Sequence, residues 1–362
     1  MMWYLVYILV FLFSLLLSLL LTPVMRKVAI SLKVLDYPNE RKIHRSPKPL
    51  LGGGAIYLSF LFTILIGILF IRTGMVRFLP FSIQGYLPGI KNVLPKLLVI
   101  LIGGGVILGF GLIDDRVGLR PAFKLSGQIV IGICLFLVGI RITLFIPNLF
   151  LSAIITIFWL TAITNGFNLL DNMDGLSVGV AVIASFLFFL LANGQGEIFI
   201  STILAVFLGS LLGFLRYNFH PAKIFMGEAG SSFIGYLLAT VAILGTYYHQ
   251  ESPTFLPVIA PFLILGFPIF DMVSVVVIRM RRKKPIFGAD KNHLSHRLVN
   301  LGMSQKGAVL FIYLVAFSLG LGALLLRNLN FRGGLLVLLQ ALIIIAIIVL
   351  LEITGRKPKN EK

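Results

Sequence analysis

The sequence predicts an all-α polytopic membrane protein with about eleven transmembrane helices, and three observations predict it. Of its 362 residues, 58% are hydrophobic and only 12% charged, with a mean hydropathy of +1.02. A soluble globular domain needs a largely polar surface and does not tolerate that balance. Eleven apolar runs approach the roughly 20 helical residues that cross ~30 Å of hydrocarbon, and the basic residues fall mainly in alternate loops.

In chain order the runs cover about residues 3–22, 51–71, 96–113, 125–140, 143–164, 175–192, 198–215, 231–248, 257–279, 308–326 and 333–353. The first lacks a basic leader and a small-residue cleavage site, so it reads as a retained span. Residues 72–95, rich in Gly and Pro, read as an external loop or a re-entrant hairpin. Cys134 is the single cysteine and lies inside a run, which excludes a disulfide framework. With the N-terminus outside, 24 of the 31 Lys and Arg residues face the cytoplasm, and the other seven are Arg72, Arg77, Lys91, Lys96, Arg141, Arg327 and Arg332. Basic residues accumulate on the inner side of short loops, so the orientation is N-out, C-in. No repeat or soluble insert interrupts the chain, and residues 1–362 read as a single membrane domain.

That topology sorts the acids too, although positive-inside sorting does not require it. Asp36, Glu40, Asp114, Asp115, Asp171, Asp174, Glu228 and Asp290 fall in or beside inner loops, while Glu197 and Glu251 lie outside. Asp271 is the exception, roughly two turns into its run. An acid within a span is a functional candidate by default, and pairing with a neighbouring helix accounts for it equally well.

Four stretches carry the chemistry. GFGLIDDRVGLRPAFK sets Asp114 and Asp115 at the end of a span containing Gly103, Gly104, Gly105, Gly109 and Gly111. Such small residues let helices approach closely; without a preceding strand they do not make a dinucleotide fingerprint. Adjacent acids point about 100° apart on a helix, so one of them faces a given site, and two acids at a C-terminal end oppose the helix dipole. A solvated helix end is the plainer alternative.

NGFNLLDNMDGL places Asn165 with Asn168, and Asp171 with Asp174, at a spacing that shares a helix face. Two carboxylates so close repel unless a cation lies between them, and oxygen-only ligands suit Mg²⁺. The alternative is a polar turn. HPAKIFMGEAGSSFIGY holds Glu228 in a turn leading to a new helix at about Ser231, where free backbone N–H groups could take phosphate oxygens; a simple capped helix fits as well. GADKNHLSHRLVNLG carries His293, His296 and Arg297 on one helical face, cationic and suited to a diphosphate. Zinc ligation competes there, but no third soft ligand is near. Carboxylates, a hard cation, a basic face and a helix N-terminus are the parts for moving a phosphoryl-linked group, and Walker and kinase motifs are missing.

With DYPNERKIHRSPKPLLGGGAIY near the start, the motifs DDRVGL, NGFNLLDNMDGL, IFMGEAGS and DKNHLSHRL resemble the polyprenyl-phosphate N-acetylhexosamine-1-phosphate transferase family over roughly residues 23–305. The resemblance implies a helical fold around a cytoplasm-facing cleft in a bacterial or archaeal cytoplasmic membrane, with assembly as a homodimer. It implies transfer of a hexosamine 1-phosphate from a UDP-N-acetylhexosamine to polyprenyl phosphate in the lipid, releasing UMP, with Mg²⁺ or Mn²⁺ as cofactor and no nucleic acid as partner. The catalytic residues would be Asp114, Asp115, Asp171, His293 and His296. Substrate would be bound by Asn168, Asp174, Phe225, Arg297, His44 and Lys124, with Phe225 stacking on uracil. The metal ligands would be Asp171, Glu228 and Asp115.

Two positions depart from the family pattern: Glu228 stands where an Asp is usual, and Ser295 stands in the middle of the histidine motif. The N-terminal loop resembles the branch using UDP-N-acetylglucosamine; phospho-MurNAc-pentapeptide transfer is the alternative within the family. A secondary transporter is the alternative of another class and predicts acids at the midplane and inverted repeats. A non-catalytic lipid-binding scaffold is a third reading, against which the carboxylate set argues.

Overall fold

The computed structural model describes residues 2–38, 46–73, 87–143, 147–248, 252–283, 285 and 292–354. It is almost entirely helical and forms two compact units, Met1–Gly245 and Thr246–Lys362. Among the described residues, nine helices are long and apolar enough to cross a membrane, and one bent pair could make a further span. The chain is an all-α polytopic membrane protein.

In the first unit α1 (Met2–Ser31) lies along α7 (Ile198–Asn218). Ser14, Ser18 and Thr22 recur every fourth residue of α1 and are fully buried. Gly209 and Gly213, four apart on α7, sit so close to Ser14 and Ser18 that a Cβ on either would strike α1. Ser18 Oγ donates to the Ser210 carbonyl at 2.7 Å. Small residues that admit a hydrogen bond are how helices associate where lipid removes the hydrophobic drive.

A two-residue hairpin, β1 (Leu35–Asp36) with β2 (Lys48–Pro49), leads into α2 (Gly52–Arg72). Then come α3 (Leu87–Val117), α4 (Pro121–Leu137), α5 (Leu149–Leu170), α6 (Leu176–Gly194) and α8 (Gly227–Leu244). Every residue of α8 from Ala229 to Ala242 is buried, as expected of a helix surrounded on all sides, and α2, α3, α5 and α6 pack against it. Tyr57 and Phe233 meet edge to face at 5.1 Å, and Tyr57 Oη donates to the Leu101 carbonyl at 2.9 Å. Trp159 Nε1 donates to the Ala239 carbonyl at 3.3 Å. The polar tips of Tyr57 and Trp159 thus each have a partner in this apolar core.

In the second unit, a 3₁₀ turn (Leu256–Ile259) and α9 (Ala260–Ile264) meet α10 (Gly266–Arg281) at a bend of 70°. These are followed by α11 (Leu294–Asn300), α12 (Gln305–Leu325) and α13 (Phe331–Thr354), and α12 packs on α9, α10, α11 and α13.

The predicted spans shift in places. The run at 257–279 is broken, because Pro261 and Pro268 remove amide donors on both sides of Gly266. In the run at 143–164, α5 begins at Leu149, where Asn148 Oδ1 accepts the Phe150 and Leu151 amides at 2.9 and 3.1 Å. α8 starts at Gly227, a turn before Ser231. Residues 74–86 lie outside the described residues, and from Leu87 the expected loop is already helix, with Pro95 inside it. The run at 125–140 forms the 17-residue helix Pro121–Leu137.

Candidate active site

Four helix ends converge at one end of the first unit: the C-termini of α3 and α5 and the N-termini of α4 and α8. Glycine permits the approach. A Cβ on Gly111 would run into the α8 backbone at Ala229, which confirms the packing role expected for that glycine. Gly227 has φ +71°, a conformation other residues rarely adopt, and a Cβ there would collide with the Asp115 carboxylate and the Leu50 carbonyl.

Asp115 accepts the amides of Glu228 at 2.8 Å and Ala229 at 3.3 Å, so a carboxylate of α3 caps α8. The first amides of a helix have no partner within it and favour negative charge. The expected free N–H groups of the GEAGSS turn are therefore taken by Asp115. The two adjacent acids also both serve the site, from different sides of α3. Asp114 Oδ1 accepts the Leu119 amide at 2.5 Å and closes the turn into α4, while Oδ2 takes Lys124 Nζ at 3.0 Å.

The same ammonium reaches Glu228 Oε2 at 3.1 Å, joining α3, α4 and α8. Glu228 Oε2 also accepts a hydrogen bond from Asn168 Nδ2, whose amide lies 3.4 Å from both Ser231 Oγ and Ser232 Oγ. Asn168 and Glu228, from two stretches of sequence, thus meet.

The helix containing Asn168 stops at Leu170, and Asp171 is its C-cap with ψ 59°. Asp171 and Asp174 therefore do not share a helix face, contrary to their spacing. Asp174 turns to the segment after α7, where its Oδ2 takes His220 Nδ1 at 2.9 Å and the Ala222 amide at 3.0 Å. Asn165 likewise parts from Asn168, bonding Gln128 Oε1 at 2.8 Å and the Thr161 carbonyl at 2.7 Å. Asp171 keeps a little exposed surface, yet burial, reinforced by Glu228, Asp115, Asp174 and Asp36, pushes its carboxyl well above the usual range.

Phe225 is half-buried, with its amide donating to the Pro49 carbonyl at 2.8 Å and its carbonyl accepting the Gly52 amide at 2.9 Å. Lys48 Nζ donates to the Ala222 carbonyl at 2.7 Å. These bonds seat the N-terminal motif on the loop that holds Phe225 and Glu228. His44 lies outside the described residues.

Among the described residues no three acidic, imidazole or thiol groups stand ready-made around one point. The donor set still fits a hard cation. Asp171 and Glu228 supply oxygen without a soft ligand, and a divalent charge would relieve the repulsion that adds to burial in raising the Asp171 carboxyl. Asp115 is committed to the α8 amides and has less to offer a metal.

The histidine motif lies in the second unit, where the expected single cationic face is not formed. His293 is extended (φ −65°, ψ 148°) and precedes α11, so it does not stack above His296 and Arg297 as one helix would place it. Its Nδ1 lies 2.8 Å from Asp271 Oδ2. Arg297 pairs with Glu352 Oε2 at 2.6 Å and Ser274 Oγ at 2.7 Å, which compensates its charge locally. His296 is half-exposed.

Sequence reasoning missed Asn218, which takes the Gly175 amide at 3.1 Å and bonds the Ile224 carbonyl at 3.0 Å, bracing one motif against the next. It also missed His220 and Glu352. A lone acid in the last apolar run was the available signal for Glu352.

Residues 97–246 match the model for glycosyl transferase family 4. The chain is 32% identical over 342 residues to a Bacillus subtilis (strain 168) protein named "Probable undecaprenyl-phosphate N-acetylglucosaminyl 1-phosphate transferase", covering 92% of this chain and 88% of that one. It is 31% identical over 361 residues to the decaprenyl-phosphate N-acetylglucosaminephosphotransferase of Mycobacterium tuberculosis (strain ATCC 25618 / H37Rv), covering 92% and 86%. To the undecaprenyl-phosphate alpha-N-acetylglucosaminyl 1-phosphate transferase of Escherichia coli (strain K12) it is 26% identical over 314 residues, covering 80% and 76%. Likeness at this level along nearly the whole chain, with the motif residues gathered as described, means that the protein belongs to the polyprenyl-phosphate N-acetylhexosamine-1-phosphate transferases of glycosyl transferase family 4.

Proposed function

We propose that this protein transfers N-acetylglucosamine 1-phosphate from UDP-N-acetylglucosamine to a polyprenyl phosphate, releasing UMP and leaving a lipid-linked pyrophosphoryl sugar. The observation that carries the reading is the junction of Asp114, Lys124, Asn168 and Glu228 across four helices, with Asp171 beside it in a strongly negative setting. The relatives' names favour N-acetylglucosamine over the phospho-MurNAc-pentapeptide alternative.

The lipid phosphate oxygen attacks the β-phosphorus of the donor, and the bond from that phosphorus to the oxygen bridging to the α-phosphate breaks, its electron pair leaving with UMP. A phosphate monoester, with a second pKa near ~6, is mostly dianionic at neutral pH. No strong base is needed, which agrees with Asp114 being tied to Leu119 and Lys124. Lys124 offers its ammonium to the incoming phosphate, with Asp114 holding it in place. Asn168 orients Glu228, and the half-buried Phe225 ring offers a face to the uracil. Asp171 and Glu228, with Asp115 behind them, would hold Mg²⁺, which supplies charge neutralisation on the diphosphate. The membrane-crossing helices keep the acceptor's tail in lipid while its head meets a soluble nucleotide at the cytoplasmic face.

Purified protein given UDP-N-acetylglucosamine should release UMP only when both polyprenyl phosphate and Mg²⁺ are present. Activity undiminished in excess chelator would remove the metal from this account. Topology gives a separate expectation. Cysteines introduced as Lys48→Cys, Lys223→Cys and Asn292→Cys in a Cys134→Ser background should react with an impermeant maleimide only from the cytoplasmic side. Labelling of the third from outside would contradict a common face.

A further inference from the structure

Beside the carboxylate junction, α3, α4 and α8 enclose a small pocket lined by Ile107, Phe110, Gly111, Lys124, Gln128 and Ser232. Gln128 and Ser232 are 7% and 8% exposed. Gln128 is the one polar member of the buried stripe of α4, which otherwise holds Gly127, Ile131, Gly132 and Leu135. On the other side of that helix Phe123, Val130 and Leu137 are each more than half exposed, an apolar surface that lipid covers.

The neighbours of Gln128 fix which way its amide points. Asn165 Nδ2 donates to the Thr161 carbonyl, which can only accept, at 2.7 Å, and to Gln128 at 2.8 Å. The Gln128 atom facing Asn165 is therefore the oxygen, and the NH₂ turns the other way with no acceptor among the described residues. Ser232 Oγ accepts from Asn168 Nδ2 at 3.4 Å; unlike Ser231, which donates to the Gly227 carbonyl at 3.1 Å, it too has no acceptor among the described residues. Lys124 spends two of its three ammonium hydrogens on Asp114 and Glu228. Donors from α4 and α8 thus border one pocket, and a donor buried without an acceptor is costly unless a ligand supplies the oxygen.

We infer that Gln128 and Ser232 bind the phosphate of the lipid acceptor, whose oxygens take hydrogen bonds from Gln128 Nε2, Ser232 Oγ and the remaining hydrogen of Lys124. This rests on the proposed function, in which Lys124 meets that phosphate. A phosphate dianion has oxygens enough for all of these donors, and bonds to a charged acceptor are the strong ones. The other walls say which substrate the phosphate belongs to. Phe110 meets the exposed Phe123 edge to face at 5.5 Å, and a Cβ on Gly127 would strike the Phe110 ring. A phosphate on a hydrocarbon chain finds donors and apolar surface side by side here, whereas a sugar nucleotide carries hydroxyls where the lipid carries hydrocarbon.

The test measures binding of ³²P-labelled polyprenyl phosphate to the full chain in detergent, with chelator and without sugar nucleotide, alongside KM for each substrate. Gln128→Glu keeps an oxygen for Asn165 and puts a negative oxygen where the NH₂ was, so it separates phosphate binding from support of Asn165. Ser232→Ala removes a single donor. At pH 8, Gln128→Glu should weaken lipid binding and raise the acceptor KM at least ~10-fold, and Ser232→Ala by about 3- to 10-fold, as the loss of hydrogen bonds to a charged group implies. KM for the sugar nucleotide should change less than ~2-fold, with the melting temperature within a few degrees. Inorganic phosphate should compete with the lipid for wild type and compete less well for either variant, and polyprenol without phosphate should compete poorly throughout.

Unchanged lipid binding in either folded variant would overturn the inference, and Ser232→Ala decides the matter if Gln128→Glu does not fold. A rise confined to the sugar-nucleotide KM would overturn it as well, because the pocket would then serve the donor's diphosphate. So would polyprenol that competes as well as polyprenyl phosphate. Wild-type protein that binds the lipid phosphate through these residues but releases no UMP would instead refute the proposed function and leave the pocket standing.

Discussion

Glu228→Gln is expected to lose at least ~100-fold in turnover, in line with the ~3 kcal/mol attached to one electrostatic contact made in a transition state, while keeping a near-wild-type melting temperature. Glu228 draws together groups from three other helix ends, with Lys124 and Asn168 both directed at Oε2. An amide of the same shape can still accept from one of them, so the fold survives. The charge that would face the metal and balance Lys124 is gone.

Glu228→Asp is the sharper comparison because it restores the residue usual in the family. Shortening by one methylene draws the carboxylate back from Lys124 and Asn168 but keeps its charge. Turnover should stay within ~10-fold of wild type, with the preference between Mg²⁺ and Mn²⁺ shifted. If Glu228→Gln keeps full activity and unchanged Mg²⁺ dependence, the metal is held elsewhere.

Asp171→Asn should lose turnover to a similar degree, at least ~100-fold, and should be more stable than wild type at pH 8 in chelator. Burial first, then Glu228, Asp115, Asp174 and Asp36, raises the Asp171 carboxyl in the folded chain. Between the unfolded value of ~3.9 and the raised folded value, the folded state binds more protons than the unfolded state. The contribution of this group is therefore greatest below the unfolded value and is lost as pH rises through the folded one. Asn does not titrate, so thermal unfolding of the pair should agree near pH 4 and diverge by pH 8, with the variant higher. Mg²⁺ should raise the wild-type midpoint at pH 8 by binding the folded state and should do less for Asp171→Asn. Identical melting curves across that range would show that the carboxyl is not strained by its neighbours.

Much of this was legible in the sequence because the signals were local. Apolar runs mark helices whatever their partners, and each predicted run contains one. Asn148, which caps α5, and the Pro and Gly residues at 261–268, which break the run at 257–279, were hidden by the continuous apolarity around them. The motif residues Asp114, Asp115, Asn168, Asp171 and Glu228 were recognisable as polar groups at span ends.

Their pairing was less legible, because partners far apart in sequence leave no periodic trace. Asp115 is 113 positions from Glu228, whose amide it caps, and Arg297 is 55 from Glu352. Helical spacing misled where the helix stops, at Leu170 before Asp171 and at His293 before α11. In both places a face drawn by counting three and four residues joins side chains that the backbone separates. Asp271 stood out as an acid in an apolar run, but its partner His293 is 22 positions on, at the start of α11.

The central claim is that the β-phosphate travels with the sugar to the lipid. UDP-N-acetylglucosamine labelled with ³²P in the β-phosphate tests it directly, with purified protein, Mg²⁺ and polyprenyl phosphate. Label should pass into the organic phase in a one-to-one ratio with UMP and stay in water when the lipid is omitted. Label left behind in UDP while the sugar moves, or released as water-soluble N-acetylglucosamine 1-phosphate, would contradict it.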